Sequence, residues 1–226
     1  MRCVLFTLLL FSLFILRPLP AAELLKNGDF ETGDVTGWIY WETFPWDGDG
    51  APVESPIHVT IAIPGNIGNP MPPTMSGSFA LTQQVGSNGT ARGGLYQEIK
   101  VVVNTPYILT GYVAFYGDDT GDITIIGILD GPWNPALAFT TINKNYIGGN
   151  TTSSWIEFSL MIIPTKDIIT VFTETRQDWM HGHVAGWYDN LSLKPVPEPT
   201  KLFLSQNPKD HPVREEKQKQ PAKCEE

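Results

Sequence analysis

The sequence predicts an all-β protein, an antiparallel β-sandwich, and three observations carry that expectation. About nine or ten short segments alternate apolar and polar residues, or run apolar for a few residues, between turn signals. Among 226 residues there are 21 Gly, 19 Pro and 11% aromatic residues, a composition of strands and turns rather than helices. No window holds a convincing 3.6-residue period, so two packed sheets are the economical architecture.

The chain opens with Arg2, a run rich in Leu and Phe from Val4 to Leu16, and then Arg17-Pro-Leu-Pro-Ala-Ala. This is the layout of a secretory signal peptide over residues 1–22, cut near Ala21 or Ala22. The apolar run is about 13 residues long, and a bilayer-spanning helix takes roughly 20. A secreted protein, extracellular or at the cell surface, with no stable membrane insertion after cleavage, is the expectation. Losing Arg2 and Arg17 takes the formal charge from −9 to −11. An acidic chain lacks the clustered Lys and Arg that phosphate contact needs, so nucleic acid is excluded as a partner. Cys3 leaves with the signal and Cys224 lies in the polar terminus, so the mature chain has no intramolecular disulfide.

The elements follow in order. Leu24 to Trp38, LLKNGDFETGDVTGW, is a short apolar run, an Asn-Gly turn, an acid-framed Phe30, and a Gly-Trp pair. Ile39 to Glu54 reads as a long loop with a short strand. His58 to Ile63 is a strand, Pro64 to Pro73 is broken by Pro and Gly, and Ser78 to Thr82 is a short strand. Leu95 to Val101 and Tyr107 to Tyr116 are strands joined by a turn at Asn104-Thr-Pro106. In the second of them Tyr107, Leu109, Val113 and Phe115 share one face, and Thr110, Tyr112 and Tyr116 the other. Gly117 to Asp122 is an acidic loop, read as a solvated turn. Ile123 to Leu129 is a strand, Asp130 to Pro135 a loop presenting Trp133, and Leu137 to Ile142 a strand. Gly148 to Ser153 is a turn cluster. Trp155 to Ile163 and Ile168 to Thr175 are strands, Arg176 to His183 is a loop, and Trp187 to Leu193 is the closing strand. The domain therefore runs over 23–194, roughly 170 residues, enough for one sizeable core. Residues 195–226 are rich in Pro, Lys, Glu and Gln and read as a disordered tail.

Asn27-Gly-Asp-Phe-Glu31 with Gly37-Trp38, Gly77-Ser-Phe-Ala-Leu81, Leu95-Tyr-Gln-Glu-Ile99, Pro106-Tyr-Ile-Leu109 and Tyr188-Asp-Asn-Leu-Ser-Leu193 together resemble the CenC-type carbohydrate-binding modules. These are galactose-binding-like jelly rolls that include families 4, 9 and 22, and the resemblance spans about Leu24 to Leu193. The opening, and a close running into Val196-Pro-Glu-Pro199, are also similar to small exported bacterial PEP-CTERM proteins. Here the chain continues with Lys201-Leu-Phe-Leu-Ser and a charged tail in place of the anchoring helix.

The resemblance implies a jelly roll and a structural calcium joining the first and last strands, held by Glu31, Asp189 and the main-chain oxygen of Asp29 or its neighbours. Strand parity with Leu191 and Leu193 independently points Asp189 toward the core, where an ionised carboxylate needs a counter-charge or hydrogen bonds. The alternative is that backbone N–H groups or Lys26 satisfy both carboxylates. Asp47, Asp49 and Gly50 form only part of a calcium loop, and Asp178, His181 and His183 are mixed loop chemistry.

The function expected is non-catalytic binding of a polysaccharide or other glycan. Flat aromatic faces take the C–H faces of sugar rings, and polar side chains take the hydroxyls. Trp133, Trp179, Tyr112, Tyr116, Arg176 and Gln177 are the candidates, each placed at a loop or on the non-core face of a strand. Trp38, Trp155 and Trp187 are assigned to packing. The chain carries no G-x-S-x-G elbow, HExxH helix or cysteine nucleophile context. Two rivals stay open: an envelope or matrix protein without a sugar cleft, in which Trp133 and Trp179 would be buried, and a glycoside hydrolase with two facing carboxylates.

Overall fold

The computed structural model describes residues 21–43, 57–62, 73–85, 91–141, 143–177 and 183–197. Within them, eleven strands form two antiparallel sheets. The first sheet has the spatial order β1 (Ile39–Thr43), β4 (Ala91–Lys100), β10 (Ile168–Gln177), β6 (Ile123–Leu129) and β7 (Lys144–Gly148). The second has β2 (Ile57–Ala62), β3 (Ala80–Val85), β11 (Val184–Pro195) and β5 (Tyr107–Gly117). Along the far side of β5 lie β8 (Thr151–Thr152) and β9 (Ile156–Ile162). The chain changes sheet at β1 to β2, β3 to β4, β4 to β5, β5 to β6, β7 to β8, β9 to β10 and β10 to β11, so most strands adjacent in sequence lie in opposite sheets. This is the jelly-roll β-sandwich that the sequence predicts.

Alternation along each strand decides which side chains face the opposite sheet. On β10, Ile169 and Val171 point between the sheets, and on β6, Ile126 and Ile128 do the same. They meet Leu81, Leu109, Val113, Tyr188 and Leu193 from the second sheet. Each such side chain contributes roughly 1.5–3 kcal/mol by leaving water. Tyr188 also ties the sheets by its hydroxyl, which sits 2.5 Å from Thr124 Oγ1 and 2.9 Å from the carbonyl oxygen of Glu174. Burial holds that phenol well above its ordinary pKa, so it stays a neutral donor.

Three expectations are corrected. Leu137 to Ile142 is not a strand: Pro135–Thr140 is a helix, α1. Asn134 caps it by accepting the N–H groups of Ala136 (3.0 Å) and Leu137 (3.3 Å), and Pro135 stands where its missing N–H costs nothing. Gly148 to Ser153, read as a turn cluster, holds strand ends as well: Gly148 closes an edge strand, Lys144–Gly148, whose half-exposed position allows a polar sequence, and Thr151–Thr152 is a short strand. Arg176 and Gln177, placed in a loop, are the last residues of β10 and therefore point to opposite sides of the first sheet.

The opening stretch works as a strap across the last strand. The Leu24 N–H donates to the Leu193 carbonyl (3.0 Å) and the Leu191 N–H to the Gly28 carbonyl (2.9 Å). A Cβ on Gly28 would lie 2.1 Å from the Leu191 carbonyl oxygen, so no larger residue fits that approach. Lys26 and Gln97 exchange two hydrogen bonds, N–H to Oε1 at 2.9 Å and Nε2 to carbonyl at 3.1 Å. Phe30 has a φ of 57°, unusual for a bulky residue, and is held there by complete burial and by stacking on Trp38 at 5.8 Å.

Candidate functional site

The two outer faces of the sandwich are the places where side chains of regular strands can meet a ligand. On the first sheet, register brings residues into rungs. One rung is Thr43, Arg92, Arg176, Ile123 and Gly148, across β1, β4, β10, β6 and β7. Another is Ile39, Tyr96, Phe172, Gly127 and Lys144. Between them lie Trp41 opposite Gly94, and Glu174, Ile125 and Tyr146 in line. A Cβ on Gly127 would meet the Phe172 ring at 2.5 Å, so the small residue lets that ring lie flat across β6.

One half of this face is roofed. Trp133, from the loop before α1, stacks on Tyr96 at 4.7 Å and 10°, and leans on Trp41 (4.8 Å) and Phe172 (5.6 Å). Its backbone N–H donates to Glu98 Oε1 at 2.8 Å. Each aromatic pair adds about 0.5–1.5 kcal/mol beyond area burial. The other half is open, with a cleft of about 190 Å³ lined by Ile123, Ile125, Lys144, Tyr146, Glu174 and Arg176. At its floor the Arg92 guanidinium grips Glu174 by two hydrogen bonds, Nε to Oε1 at 2.6 Å and Nη2 to Oε2 at 3.0 Å, and lies over the Trp41 ring at 5.5 Å. Glu174 is buried, and this bidentate pairing keeps its charge tolerable there. Tyr146, on the edge strand, is 58% exposed. The arrangement offers an apolar floor, a free aromatic face and several polar hydrogen-bonding ends.

The sequence candidates are not brought together. Trp133 and Arg176 lie on this face, Trp133 half-buried as a roof and Arg176 in the cleft lining. Gln177 is buried on the core side of the same sheet. Tyr112 and Tyr116 lie on the outer face of the second sheet, at the opposite side of the molecule, where Tyr116 packs with Trp155 against Ala114, Ala185 and Trp187. Trp179, with Asp47, Asp49, Gly50, Asp178 and His181, lies outside the described residues. Trp38 and Trp187 are buried as assigned. Sequence reasoning missed Trp41, Arg92, Lys144, Tyr146 and Glu174. The signal for Glu174 was present: Phe172, Glu174 and Arg176 share one parity of an apolar strand, with Ile169, Val171 and Thr173 on the other.

The clasp carboxylates have a different geometry from the one expected. Asp189 does not share the inward direction of Leu191 and Leu193. The pairing of β11 with β5 slips between Asp189 and Ser192, with Asn190 at a φ of 52°, and this bulge reverses the parity. Asp189 pairs with Tyr112 and points outward, yet it is fully buried, because the segment Thr74 to Phe79 crosses over it. Its carboxylate accepts N–H groups of Met75 (2.8 Å), Ser76 (3.4 Å) and Asn190 (2.7 Å). Glu31 accepts those of Ser78 (3.0 Å) and Phe79 (3.0 Å). Burial, and to a lesser extent the charge of Glu31, raise the Asp189 pKa, while the three N–H donors work against that rise. The donors thus fit a calcium only in part: two carboxylates feel each other's charge, but their hydrogen bonds come from backbone amides. Asp29 Oδ1 accepts the Glu31 N–H at 3.4 Å. Among the described residues no group of three His, Cys, Asp or Glu side chains is placed to hold a metal ion.

The acidic turn is also corrected. Asp122 is fully buried rather than solvated, accepting the N–H groups of Asp118 and Asp119 at 3.1 Å each. Burial pushes its pKa up to about 6. His183 donates its backbone N–H to Asp118 at 2.8 Å.

No protein-family model matches this chain, and no curated protein matches its sequence. Solved structures with a similar fold include a family 61 carbohydrate-binding module in complex with beta-1,4-galactotriose, at 16% identity and a TM-score of 0.48, over 78% of this chain and 100% of that one. They include the enzymatically active domain of tailspike protein 4 of bacteriophage CBA120, at 15% identity and a TM-score of 0.50. That match covers 77% of this chain and 21% of the tailspike chain. The CBM22-1 xylan-binding domain from Paenibacillus barcinonensis Xyn10C matches at 14% identity and a TM-score of 0.43, over 79% of this chain and 97% of that domain. At 15% identity the tailspike match speaks to the fold alone, a jelly-roll β-sandwich.

Proposed function

We propose that this chain is an exported, non-catalytic protein that binds a carbohydrate on the outer face of its first sheet. The observation that carries the reading is the cleft beside the aromatic roof, where Tyr146 is exposed over an apolar floor of Ile123 and Ile125 and flanked by Lys144, Glu174 and Arg176. An exposed ring beside an apolar floor suits the C–H face of a pyranose, and the flanking groups suit its hydroxyls. The signal-like opening of the sequence, Arg2 followed by the apolar run Val4 to Leu16, supports a site of action outside the cell or at its surface. The likeness to carbohydrate-binding modules adds the fold, and the ligand class rests on this chain's own cleft. The non-catalytic part of the reading has support in Glu174, the single carboxylate in the described cleft lining, which is engaged by Arg92, whereas glycoside hydrolysis uses two carboxyl groups.

The test is a polysaccharide and glycan-array screen of the secreted protein with and without calcium. Retention of at least one polymer, weakened about tenfold in Tyr146→Ala, is the expected result; no binding to any polymer sinks the reading and favours an envelope or matrix role. Calcium enters as a second proposal, a cation held by Glu31 and Asp189 with main-chain oxygen near Asp29. A ligand bound only to the folded state raises its melting temperature. Equal melts in EDTA and in calcium would leave the backbone amides as the sole partners of that clasp.

A further inference from the structure

We propose that the apolar pole of the sandwich, formed by Val102, Val103, Met161 and Ile163, is a docking surface for the chain's own terminal segment, and that Leu202-Phe203-Leu204 is its occupant. The surface is distinct from the cleft, and the inference is independent of the carbohydrate-binding reading.

The pole is made by two turns tied to each other. After β4 the chain turns through Val102 and Val103, and after β9 it turns through Ile163 and Pro164. The Asn104 N–H donates to the Pro164 carbonyl (2.9 Å) and the Val101 N–H to the Asp167 carbonyl (2.9 Å), so the two turns stand side by side. Their apolar side chains face water: Val102 is 66% exposed, Met161 62%, Ile163 57% and Val103 39%. Among the described residues, three of the four most exposed large apolar side chains therefore lie at this one place. Single apolar residues scattered over a surface need no explanation, whereas a contiguous group marks a contact.

The chain leaves the sandwich beside this pole. The Val196 N–H donates to the Pro106 carbonyl at 2.8 Å. In the register of the second sheet Pro195, Tyr107 and Ile162 lie on one line across β11, β5 and β9. Two strand spacings, roughly 10 Å, thus separate the exit from the end of β9. The sequence goes on through residues 198–226, and their one apolar run is Leu202-Phe203-Leu204, set among Pro, Lys, Glu and Gln. From Pro197 to Leu202 an extended chain reaches up to roughly 17 Å, so the run can lie on the pole with slack to spare. Size selects this occupant over a separate molecule. A stable contact with a second copy or another protein takes roughly 20–30 residues a side, and four side chains fall far short of that. A tethered segment needs less surface, because its tether holds it near the pole at a high effective concentration.

The experiment records methyl NMR spectra of the full-length secreted protein and of a variant carrying Leu202→Ser, Phe203→Ser and Leu204→Ser together. These substitutions lie outside the sandwich, so its folding does not depend on them. Nuclear Overhauser contacts between the Phe203 ring and the methyl groups of Met161, Ile163 or Val102 are expected in the native chain. In the variant those contacts should be lost, the same methyl resonances should shift, and the fluorescence of a dye that binds exposed apolar surface should rise. Met161→Ser, on the exposed side of β9, should in turn move the Phe203 ring resonances toward those of a free chain. Identical pole methyl spectra in the native chain and the triple variant would overturn the inference. Methyl shifts that follow protein concentration in both proteins would give the pole to a second copy. Broadening of the pole methyls by phosphatidylcholine–phosphatidylglycerol vesicles, equal in both proteins, would give it to a lipid surface. Either of these results overturns the inference as well.

Discussion

Both outer faces of this sandwich carry aromatic residues and put them to opposite uses. On the second sheet, Trp187 is fully buried beneath Tyr116 and Trp155, and the segment Thr74 to Phe79 is tied over Asp189 by backbone amides. The Trp155 indole N–H donates to the Pro73 carbonyl at 2.6 Å, which fastens this cover in place. On the first sheet the roof stops halfway: Trp133 closes over Tyr96 and Phe172, but Tyr146 and the Arg92–Glu174 pair border an open cleft. The lesson is that aromatic content does not mark a binding face. What sets the face of the first sheet apart is an aromatic ring left uncovered next to charged groups whose pairing requires a defined geometry.

The largest expected effect comes from opening the sealed face. Trp187→Ala removes a fully buried indole and should cost about 3–5 kcal/mol, read as a lower denaturant midpoint, with polysaccharide affinity per folded molecule unchanged. Affinity falling in step with stability would mean that the two faces are coupled. Next, Glu174→Ala leaves Arg92 facing a buried vacancy and should cost about 3 kcal/mol while also abolishing retention in affinity electrophoresis. Retention without Glu174 would show that the floor pair is purely structural.

The turn that joins the sheets should give a pH signature. With the Asp122 pKa raised to about 6, the folded state binds a proton that the unfolded state releases near pH 4, so stability falls as pH rises through that window. Asp122→Asn should flatten the melting temperature between about pH 4 and 6 and gain on the order of 1 kcal/mol above it. An unchanged slope would assign the dependence to another carboxylate. The smallest stability effect belongs to the open face: Tyr146→Ala should shift unfolding by less than about 0.5 kcal/mol. Its polysaccharide affinity should nonetheless drop about tenfold, since one stacked ring is worth of order 1 kcal/mol or more. A Tyr146 variant that binds normally would place the site elsewhere.

Most of the sandwich was legible because period-two burial is written directly in a strand such as Tyr107 to Gly117, while Ile123 to Leu129 and Ile168 to Thr175, buried on both faces, read as apolar runs between turn signals. What escaped was local. A single extra residue at Asn190 inverted the direction of Asp189, and a bulge leaves no mark in a run of alternating residues when Asn can adopt a positive φ. The helix at Pro135–Thr140 was hidden by its shortness, although Asn134-Pro135 is a start signal. The site was less legible than the fold. Its members come from five strands, and Lys144 and Tyr146 sit in a polar edge segment that has no pattern by itself. Chemistry alone nominated Tyr112 and Trp133 together, and only the sheet order shows that a whole sandwich thickness separates their faces.

The strap has a mechanical consequence. Leu24 lies against Leu193, and Gly28 against Leu191, in antiparallel sense, so the chain enters and leaves the sandwich side by side. A load applied between Glu23 and Pro195 would therefore peel these hydrogen bonds one after another instead of shearing them at once. The domain yields first at its own seam, with the two sheets still packed, and it could be spliced into a loop of another protein through two adjacent ends.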